Sequence, residues 1–439
     1  MATGNITKEY ISSVEFLDKR EILNRALDVA NEEASFLDIM EMTRRSVVTS
    51  QPEYHHYINE NLFMLGVVAS VSGTGTSITV NLTSATSDAA RVGNVVMFND
   101  GKQGWVSAKS GVALTVKSVD NTSINGSVST GDNLSFFTTA FGEGSGPAQP
   151  ERFTLTKKSN QVQIYKAKFT ITDIQKVSTV EVEYNGKPYI MYKGQHDVLR
   201  KLRYEIGLSM MFSKKSAANF TSSNPTIQDA SDNANPVQMT SGLDEQITND
   251  GIVQALNGTT LALGDLQTLD LALRVIRAPK SYEIYVGGVM QQQFDNYMNS
   301  LGNDGMLSQA ARYNISKSLN LGVDSFRLYG RDYHKIEMPM LDHAQTVNYT
   351  GAPGYAKSAY LVPMGKIKVD DGGGSVDYLR VRYMSGDGTN LRYKEVVTGA
   401  LAPRPTNEEM LLNVSTSTNQ GLEALGTRFF AKLTQAASS

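Results

Sequence analysis

The sequence contains no cysteine and only one tryptophan in 439 residues. Without cysteine the chain forms no disulfide, offers no thiolate to a metal and has no cysteine nucleophile. Its stability therefore depends on burial and on contacts with other chains. Charged residues are also scarce, at 19 %, and the formal net charge is −3. Because proteins that grip nucleic acid strongly are usually basic, this balance argues against a nucleic-acid-coating protein.

Long apolar runs are missing as well. No stretch approaches the ~18 apolar residues of a transmembrane helix. The N-terminal MATGNITKEYISSVEF lacks the apolar core of a signal peptide. We therefore expect a protein that is made and kept in a cytoplasm, with no membrane partner.

Motifs that carry catalysis or bind cofactors are not found. Gly287-Gly288 follows a predicted strand but lacks the spacing and the lysine of a phosphate-binding loop. Asp370 and Asp371, at a predicted hairpin tip, lack the further ligands of a calcium loop. His55 and His56 are adjacent, so on an extended segment they point to opposite faces. The sequence predicts no catalytic residue, no metal site and no cofactor.

The stretch from 142 to 215 dominates the rest of the chain. Apolar residues alternate with polar ones from Phe153 to Ile171, which predicts a long β-ribbon that reverses at 157–161 (KKSNQ). A helix is predicted next, over 198–213, because four apolar residues recur at helical spacing. These are Leu199, Leu202, Ile206 and Met210. A ribbon that is polar on both faces seldom stays folded alone in water, so it requires a neighbour.

Residues 64–140 form a segment of different character. Charged residues almost vanish, and short alternating runs such as SITVNLT and ALTVKSV are separated by Gly, Asn and Asp. Strands at this spacing predict a small sandwich or barrel. The pattern indicates an inserted β-domain, and we expect Trp105 to anchor its core.

The remaining segments are predicted from local signals. A helix is predicted within 19–42, and after Pro52 the aromatic residues Tyr54, Tyr57 and Phe63 are expected to anchor an extended arm. Residues 216–260 are interpreted as mostly loop, and a helix that starts near Leu263 is stopped by Pro279. Strands are predicted between 313 and 393, and the run GLEALGTRFFAKL is interpreted as a short amphipathic helix.

The order of these elements resembles the tailed-bacteriophage major capsid proteins with the Hong Kong 97 fold. The Gly/Ser-rich lead, charged ribbon and helix resemble the extended loop and spine helix of that family. PVQMTSG at 236–242, the helix at 261–278, SYEIYVGGVMQQQFDNYM at 281–298 and the strands within 323–340 and 359–363 follow in the family's order. The resemblance covers most of 1–62 and 142–439.

This resemblance implies an α+β fold divided into six parts. They are an N-terminal arm at 1–62, an inserted β-domain at 63–140, an extended loop at 141–195, a peripheral domain with the spine helix at 196–280, an axial domain with returning strands at 281–395, and a C-terminal segment at 396–439. It also implies that the extended loop contacts a neighbouring subunit. The candidate contact residues are Arg152, Lys157, Lys158, Lys166 and Lys168.

The implied function is a head protein that self-assembles, as hexamers and pentamers, into an icosahedral shell around double-stranded DNA. Portal, scaffold and auxiliary head proteins are implied as partners, and DNA is expected to be held weakly and without sequence specificity. Residues 151–215 hold thirteen Lys/Arg and six Asp/Glu, a net charge of +7. Either these charges are simply solvated, or they face an acidic surface of the next subunit.

Three other functions remain open from the sequence. An encapsulin-like compartment would have the same fold but would enclose protein cargo instead of DNA. A tail tube or fibre is another phage structural protein, but it has no need for a spine helix. An enzyme with a β-rich accessory domain is the third. Cross-linking of subunits through Lys157 or Lys158 is also left open.

Overall fold

The chain divides into two units, which we describe separately. One comprises Met1–Tyr54 and Asn160–Ser439, and the other comprises His55–Ser159. The computed structural model describes residues 36–43, 45–58, 65–84, 86–87, 90–147, 155–172, 174, 183–184, 187–217, 228–229, 235–258, 260–303, 325–342, 355–369, 374–402 and 408–434.

Five α-helices lie within these residues. They are α1 (Phe36–Met42), α2 (Tyr189–Phe212), α3 (Leu243–Asp250), α4 (Leu263–Val275) and α5 (Gly288–Asn303). Short 3-10 turns occupy Pro339–Leu341, Tyr355–Lys357 and Thr427–Phe429. The mixture of these helices with many strands makes this an α and β fold.

The strands of the larger unit form two six-stranded sheets and several short pairs. The first sheet contains β1 (Ser46–Thr49), β10 (Gln163–Thr172), β22 (Leu379–Gly386), β23 (Thr389–Asn390), β24 (Lys394–Thr398) and β25 (Leu411–Ala424). The second contains β15 (Ile252–Ala255), β16 (Ser281–Val286), β17 (Ser325–Leu328), β18 (Arg331–Glu337), β19 (Ser358–Pro363) and β26 (Ala431–Thr434). The short pairs are β11 (Glu183–Tyr184) with β12 (Lys187–Pro188), β13 (Gln228–Asp229) with β14 (Asn235–Pro236), and β20 (Lys366–Lys368) with β21 (Ser375–Asp377).

The first sheet is built around β25, and α2 packs on one of its faces. β10 runs antiparallel to β25 over ten residue pairs, from Gln163 opposite Gln420 to Thr172 opposite Leu411. Alternate β10 residues point towards α2, and the buried Tyr165 donates a hydrogen bond to Ser209 Oγ at 2.9 Å. The period-two alternation of a strand therefore gives this sheet one packed face and one outward face.

The second sheet is covered on both faces, and the sequence of its central strand explains why. In SYEIYV every residue after Ser281 is buried, as expected for a strand packed on both sides. Tyr282 and Ile284 join α4 and α5 in one apolar cluster. Tyr285 joins α1, α2 and α3 in another cluster, where it packs edge-on against Phe36 with ring centroids 5.9 Å apart.

The smaller unit contains a closed barrel of six strands. They are β3 (Gly66–Ser72), β4 (Ser77–Leu82), β5 (Asn94–Met97), β6 (Gln103–Ser110), β7 (Ala113–Ser118) and β8 (Asn133–Thr139), in the spatial order β3-β4-β7-β6-β5-β8. Alternate apolar residues such as Val80, Val106 and Val116 fill its interior. Gly104 lets β6 approach this core, because a Cβ there would lie 2.4 Å from Val116 Cγ1.

The expectation that Trp105 anchors the barrel core is wrong. Its neighbours Gly104 and Val106 are buried, so the alternation of β6 places Trp105 on the outside of the barrel, where it is half-buried. The indole Nε1 donates to the carbonyl oxygen of Ala140 at 2.9 Å. The ring therefore ties the outside of the barrel to the segment that follows β8.

The predicted ribbon is also wrong in its pairing. Residues 157–161 do not reverse the chain. They belong to β9 (Thr156–Gln161), which pairs with β2 (Glu53–Ile58). β10 is a strand of the first sheet instead of the second arm of a ribbon. The polar run KKSNQ resembled a turn, but its two buried amides, Asn160 and Gln161, are held by hydrogen bonds to neighbouring segments.

Two further boundaries differ from the predictions. The helix predicted at 198–213 begins nine residues earlier, at Tyr189, within the segment assigned to the extended loop. The C-terminal run predicted as a helix continues β25 and then enters β26. A Cβ on Gly421 would lie 2.7 Å from the Gln161 carbonyl oxygen, so this close approach requires glycine. Gly426 adopts a φ of 65°, a left-handed conformation that ends the extended run after β25.

Candidate assembly surfaces

The chain leaves the larger unit after Tyr54 and returns to it at Asn160. Both residues bind the same peptide group. Tyr54 donates its hydroxyl to the Leu422 carbonyl oxygen at 2.8 Å. Asn160 donates Nδ2 to the same oxygen at 2.7 Å. Burial raises the pKa of the Tyr54 hydroxyl far above its ordinary value, so the group stays protonated and remains a donor.

A buried amide network reinforces this attachment. The Asn160 side chain also exchanges hydrogen bonds with the backbone of Ser241, accepting from its N–H at 2.8 Å and donating to its carbonyl oxygen at 3.0 Å. Gln161 Nε2 donates to Ser216 Oγ at 2.8 Å and to the Met239 carbonyl oxygen at 3.0 Å. Because buried amides must be paired, this network fixes the positions of Asn160 and Gln161 within the larger unit. The sequence alone does not predict this network, because the adjacent polar residues Asn160 and Gln161 are its only signal.

A buried ion cluster lies beside the attachment point. Glu423, whose side chain is 1 % exposed, accepts from Arg380 Nε at 2.5 Å and from Arg382 Nε at 2.7 Å. Burial by itself would raise the pKa of Glu423, but the hydrogen bonds from the two guanidinium groups outweigh it and hold the pKa below its ordinary value. Arg382 also lies over the Tyr54 ring, 5.6 Å from its centroid.

Helix α1 is held against α2 by both apolar and charged contacts. Phe36, Leu37 and Met40 are fully buried in the cluster that contains α2. Arg203 on α2 binds Asp38 and Glu41 on α1, at 2.5 and 2.8 Å. These contacts fix the position of α1 against α2.

The outward face of the first sheet carries three lysines together with the exposed apolar residues Ile164 and Val396. Lys166 and Lys394 lie in register on either side of Ser417, and Lys168 lies opposite Ser415. Lys166, Lys168 and Lys394 are exposed, and none of the ion pairs among the described residues involves them. An acidic surface of another molecule would find complementary charge here.

The structure places the predicted site residues in different surroundings. Among the extended-loop candidates, Lys157, Lys166 and Lys168 are exposed, Lys158 is half-buried, and Arg152 lies outside the described residues. Among the spine-helix candidates, Leu202, Ile206 and Met210 are buried and Leu199 is half-buried. Among the arm anchors, Tyr54 is buried, Tyr57 is 57 % exposed, and Phe63 lies outside the described residues.

The buried face of α2 makes a quantitative prediction. Leu202 is 2 % exposed, so Leu202→Ala should lower the free energy of unfolding of the isolated subunit by about 2–5 kcal/mol. Lys201→Ala is the matched control, because the Lys201 side chain is 78 % exposed. Chemical denaturation of both variants measures the difference. Equal stability of the two would contradict the packing of this face.

The Gly287-Gly288 pair serves packing and helix capping. A Cβ on Gly287 would lie 2.6 Å from Ala356 Cα, so the close approach of this segment requires glycine. The Gly288 N–H at the start of α5 donates to the Asp342 carboxylate at 2.8 Å, which places a negative charge at the helix N-terminus.

No group of three metal-ligating side chains lies within the described ranges. No described helix is long and apolar enough to cross a membrane.

Comparisons with known proteins identify the family to which the chain belongs. The family model of the SU10 major capsid protein matches residues 12–371. No curated protein matches the sequence. Among solved structures, the chain is similar to the capsid of Cyanophage P-SCSP1u (10 % identity, TM-score 0.44, covering 97 % of this chain and 94 % of that one) and to Gordonia phage Cozz (8 %, 0.46, 100 % and 98 %). It is also similar to the holo-SrpI encapsulin from Synechococcus elongatus PCC 7942 (9 %, 0.37, 64 % and 77 %).

The match spans most of the chain, so the protein is a capsid shell protein. It belongs to the SU10 major capsid protein family. The assignment rests on the family model alone. Membership of this family places the protein in the capsid of a bacteriophage virion and implies a shell made from copies of the chain. The sequence-based interpretation as a phage major capsid protein is confirmed.

Proposed function

We propose that this chain assembles into an icosahedral shell of hexamers and pentamers that encloses packaged double-stranded DNA, without any catalytic activity. The family match over residues 12–371 carries this proposal. A net charge of −3 suits a wall that holds its cargo weakly, because a strongly basic surface would bind DNA tightly. Subunits assemble in the host cytoplasm, where portal, scaffold and auxiliary head proteins join them.

The arrangement that we propose is of the Hong Kong 97 type. Helix α2 is the spine, the first sheet belongs to the peripheral domain, and the second sheet with α4 and α5 forms the axial domain. Helix α1 belongs to the N-terminal arm. The ion pairs of Arg203 with Asp38 and Glu41 support this, because they hold this part of the arm against the spine helix.

The observed strand pairing assigns the protruding ribbon to different residues from those predicted from the sequence. In this proposal, β2 and β9 are its two strands, and the barrel strands lie between β2 and β9 in the sequence. Lys157 and Lys158 then lie on the ribbon, whereas Lys166 and Lys168 lie on the outward face of the first sheet. Both groups contact neighbouring subunits, with charge as the main attraction.

The cargo separates this function from its nearest alternative. Particles purified from a phage lysate should contain this chain as their most abundant protein and should protect double-stranded DNA from added nuclease. An encapsulin-like compartment would instead contain a cargo protein and no protected DNA. Mass spectrometry of the shell and electrophoresis of its nuclease-resistant content decide between the two. Particles in which this chain is a minor component would contradict both functions.

The barrel allows a test of the inserted domain. β3 and β8 pair with Gly66 opposite Leu134, and the chain from Leu134 to Thr139 extends ~17 Å at ~3.4 Å per residue. A Gly/Ser linker of about eight residues in place of 67–138 therefore bridges the gap. We expect the variant to fold, as judged by a cooperative unfolding transition. A variant that does not fold would contradict the proposed boundary.

The same variant reports what the barrel contributes to the shell. If the barrel decorates the particle, the shortened subunit forms shells at normal yield. If it clamps neighbouring subunits, the subunit folds but shells are absent or fragile. Electron microscopy of assembly reactions with the shortened and full-length chains distinguishes the two roles.

A further inference from the structure

One helix of the larger unit presents an unusually apolar outer face. On α4, Leu263, Leu271 and Val275 are 40 %, 63 % and 65 % exposed. Leu271 lies at the centre of the outward arc and the other two lie within it, because residues at i and i+4 share a helix face. Large exposed apolar side chains that cluster on one face mark an interaction surface more often than isolated ones do.

The residues between them make this face smoother and less polar. Gly264 and Thr268 are exposed, and Ala272 is half-buried. The Thr268 hydroxyl donates to the Gly264 carbonyl oxygen at 2.9 Å, so its hydrogen-bonding capacity is used within the helix. These small side chains leave room for a neighbouring element to approach closely.

Charge is confined to one border of this face. Arg274, at that border, is 56 % exposed; its Nε lies 2.5 Å from Asp270 Oδ2, and its other nitrogen donates to the Tyr329 carbonyl oxygen. Asp270 is buried and also binds Arg331 at 2.9 Å. The uncharged polar residues exposed on the arc are Gln267 and Thr268. The centre of the face, at Leu271 and Val275, carries no charged side chain.

We propose that this face of α4, formed by Leu263, Leu271 and Val275 with the small residues between them, is buried against a second copy of this chain in the shell. The inference rests on the shell function proposed above. A shell subunit is surrounded by its own copies, and interface centres are depleted of charge and rich in apolar side chains. The uncharged centre at Leu271 and Val275 is also compatible with a partner of the same sequence, whereas a centre that carried charge of one sign would repel its own copy.

Thiol labelling tests this directly, because the chain has no cysteine of its own. Leu271→Cys should react rapidly with a small maleimide reagent in the free subunit. In assembled shells the labelling rate should fall by on the order of tenfold or more, because a side chain at an interface centre is shielded from water. Disassembly of the shells should restore the fast rate. Val275→Cys provides a second position and should behave in the same way.

A matched buried position controls for local opening of the helix. Leu273 is 0 % exposed, so Leu273→Cys should react slowly in both the free subunit and the shell. Equal labelling of Leu271→Cys in subunit and shell would overturn the proposal, and so would slow labelling in the free subunit. Failure of the shell function would look different, because the unmodified chain would then form no shells to compare.

Discussion

Reversing the charge of Lys166 and Lys168 together should abolish shell assembly while leaving a soluble, folded subunit. Both side chains are exposed on the outward face of the first sheet, so glutamate fits at each position without disturbing the core. The change replaces two positive charges with two negative ones, where attraction to an acidic neighbour becomes repulsion. Sedimentation of assembly reactions, with circular dichroism of the subunit, measures both parts of this result.

A second lysine pair provides the control. Lys366 and Lys368 are also exposed and two residues apart on a strand, so Lys366→Glu with Lys368→Glu makes the same charge change elsewhere. This control should assemble normally. Low salt gives the most demanding conditions, because charge screening is weakest there. Normal shell yield from the Lys166 and Lys168 variant under these conditions would show that the outward face makes no essential charged contact.

Replacement of Glu423 with glutamine should cost about 3–5 kcal/mol of subunit stability at neutral pH. Glu423 is 1 % exposed, and its carboxylate is shared by Arg380 and Arg382, whose side chains are 15 % and 18 % exposed. The glutamine keeps the shape but leaves two guanidinium groups partly buried without a counter-charge. Denaturation midpoints of the two proteins at pH 7 give the difference. Glu395→Gln, at an exposed position of β24, is the control and should change little.

The pH dependence of this effect follows from the direction of the pKa shift. The folded pKa of Glu423 is lowered, so its contribution is fully present above the unfolded value of about 4.3. It is lost as the pH falls through the folded pKa. The stability difference between the native chain and Glu423→Gln should therefore shrink below about pH 4. A difference that stays constant down to the acid transition would contradict the assigned role of the carboxylate.

The elements predicted best are those with strong, local signals. The strands of the barrel follow alternating apolar residues and Gly- or Asn-containing turns, and all six lie in the segment where charge becomes sparse. Helix α4 begins at Leu263, as its periodicity predicted. In both cases a short window of sequence contains the whole period that decides the structure.

The errors arise where long-range contacts decide the structure. Asn160 and Gln161 resembled turn residues, yet they are buried because Ser241, Met239 and Leu422 supply their hydrogen-bond partners from distant parts of the chain. β10 alternates in polarity as a solvated ribbon does, and only its pairing with β25 shows that one face is packed. The C-terminal apolar spacing matched a helix because both faces of β25 near Leu422 are buried.

The candidate surfaces were predictable to the same limited degree. The lysine excess of 151–215 indicated Lys166 and Lys168 as candidate contact residues. The sequence did not show that they share a sheet face with Lys394, which lies on a strand more than 200 residues further along the chain. The Glu423 cluster and the carbonyl oxygen shared by Tyr54 and Asn160 depend on tertiary placement alone.

Electron microscopy of the purified full-length chain is the most direct test of the central claim that it builds a shell from its own copies. We expect closed particles of uniform diameter with the outline of an icosahedron, formed by this chain alone or with a scaffold protein. Tubes, fibres or a subunit that stays monomeric at all concentrations, even with scaffold present, would contradict the account.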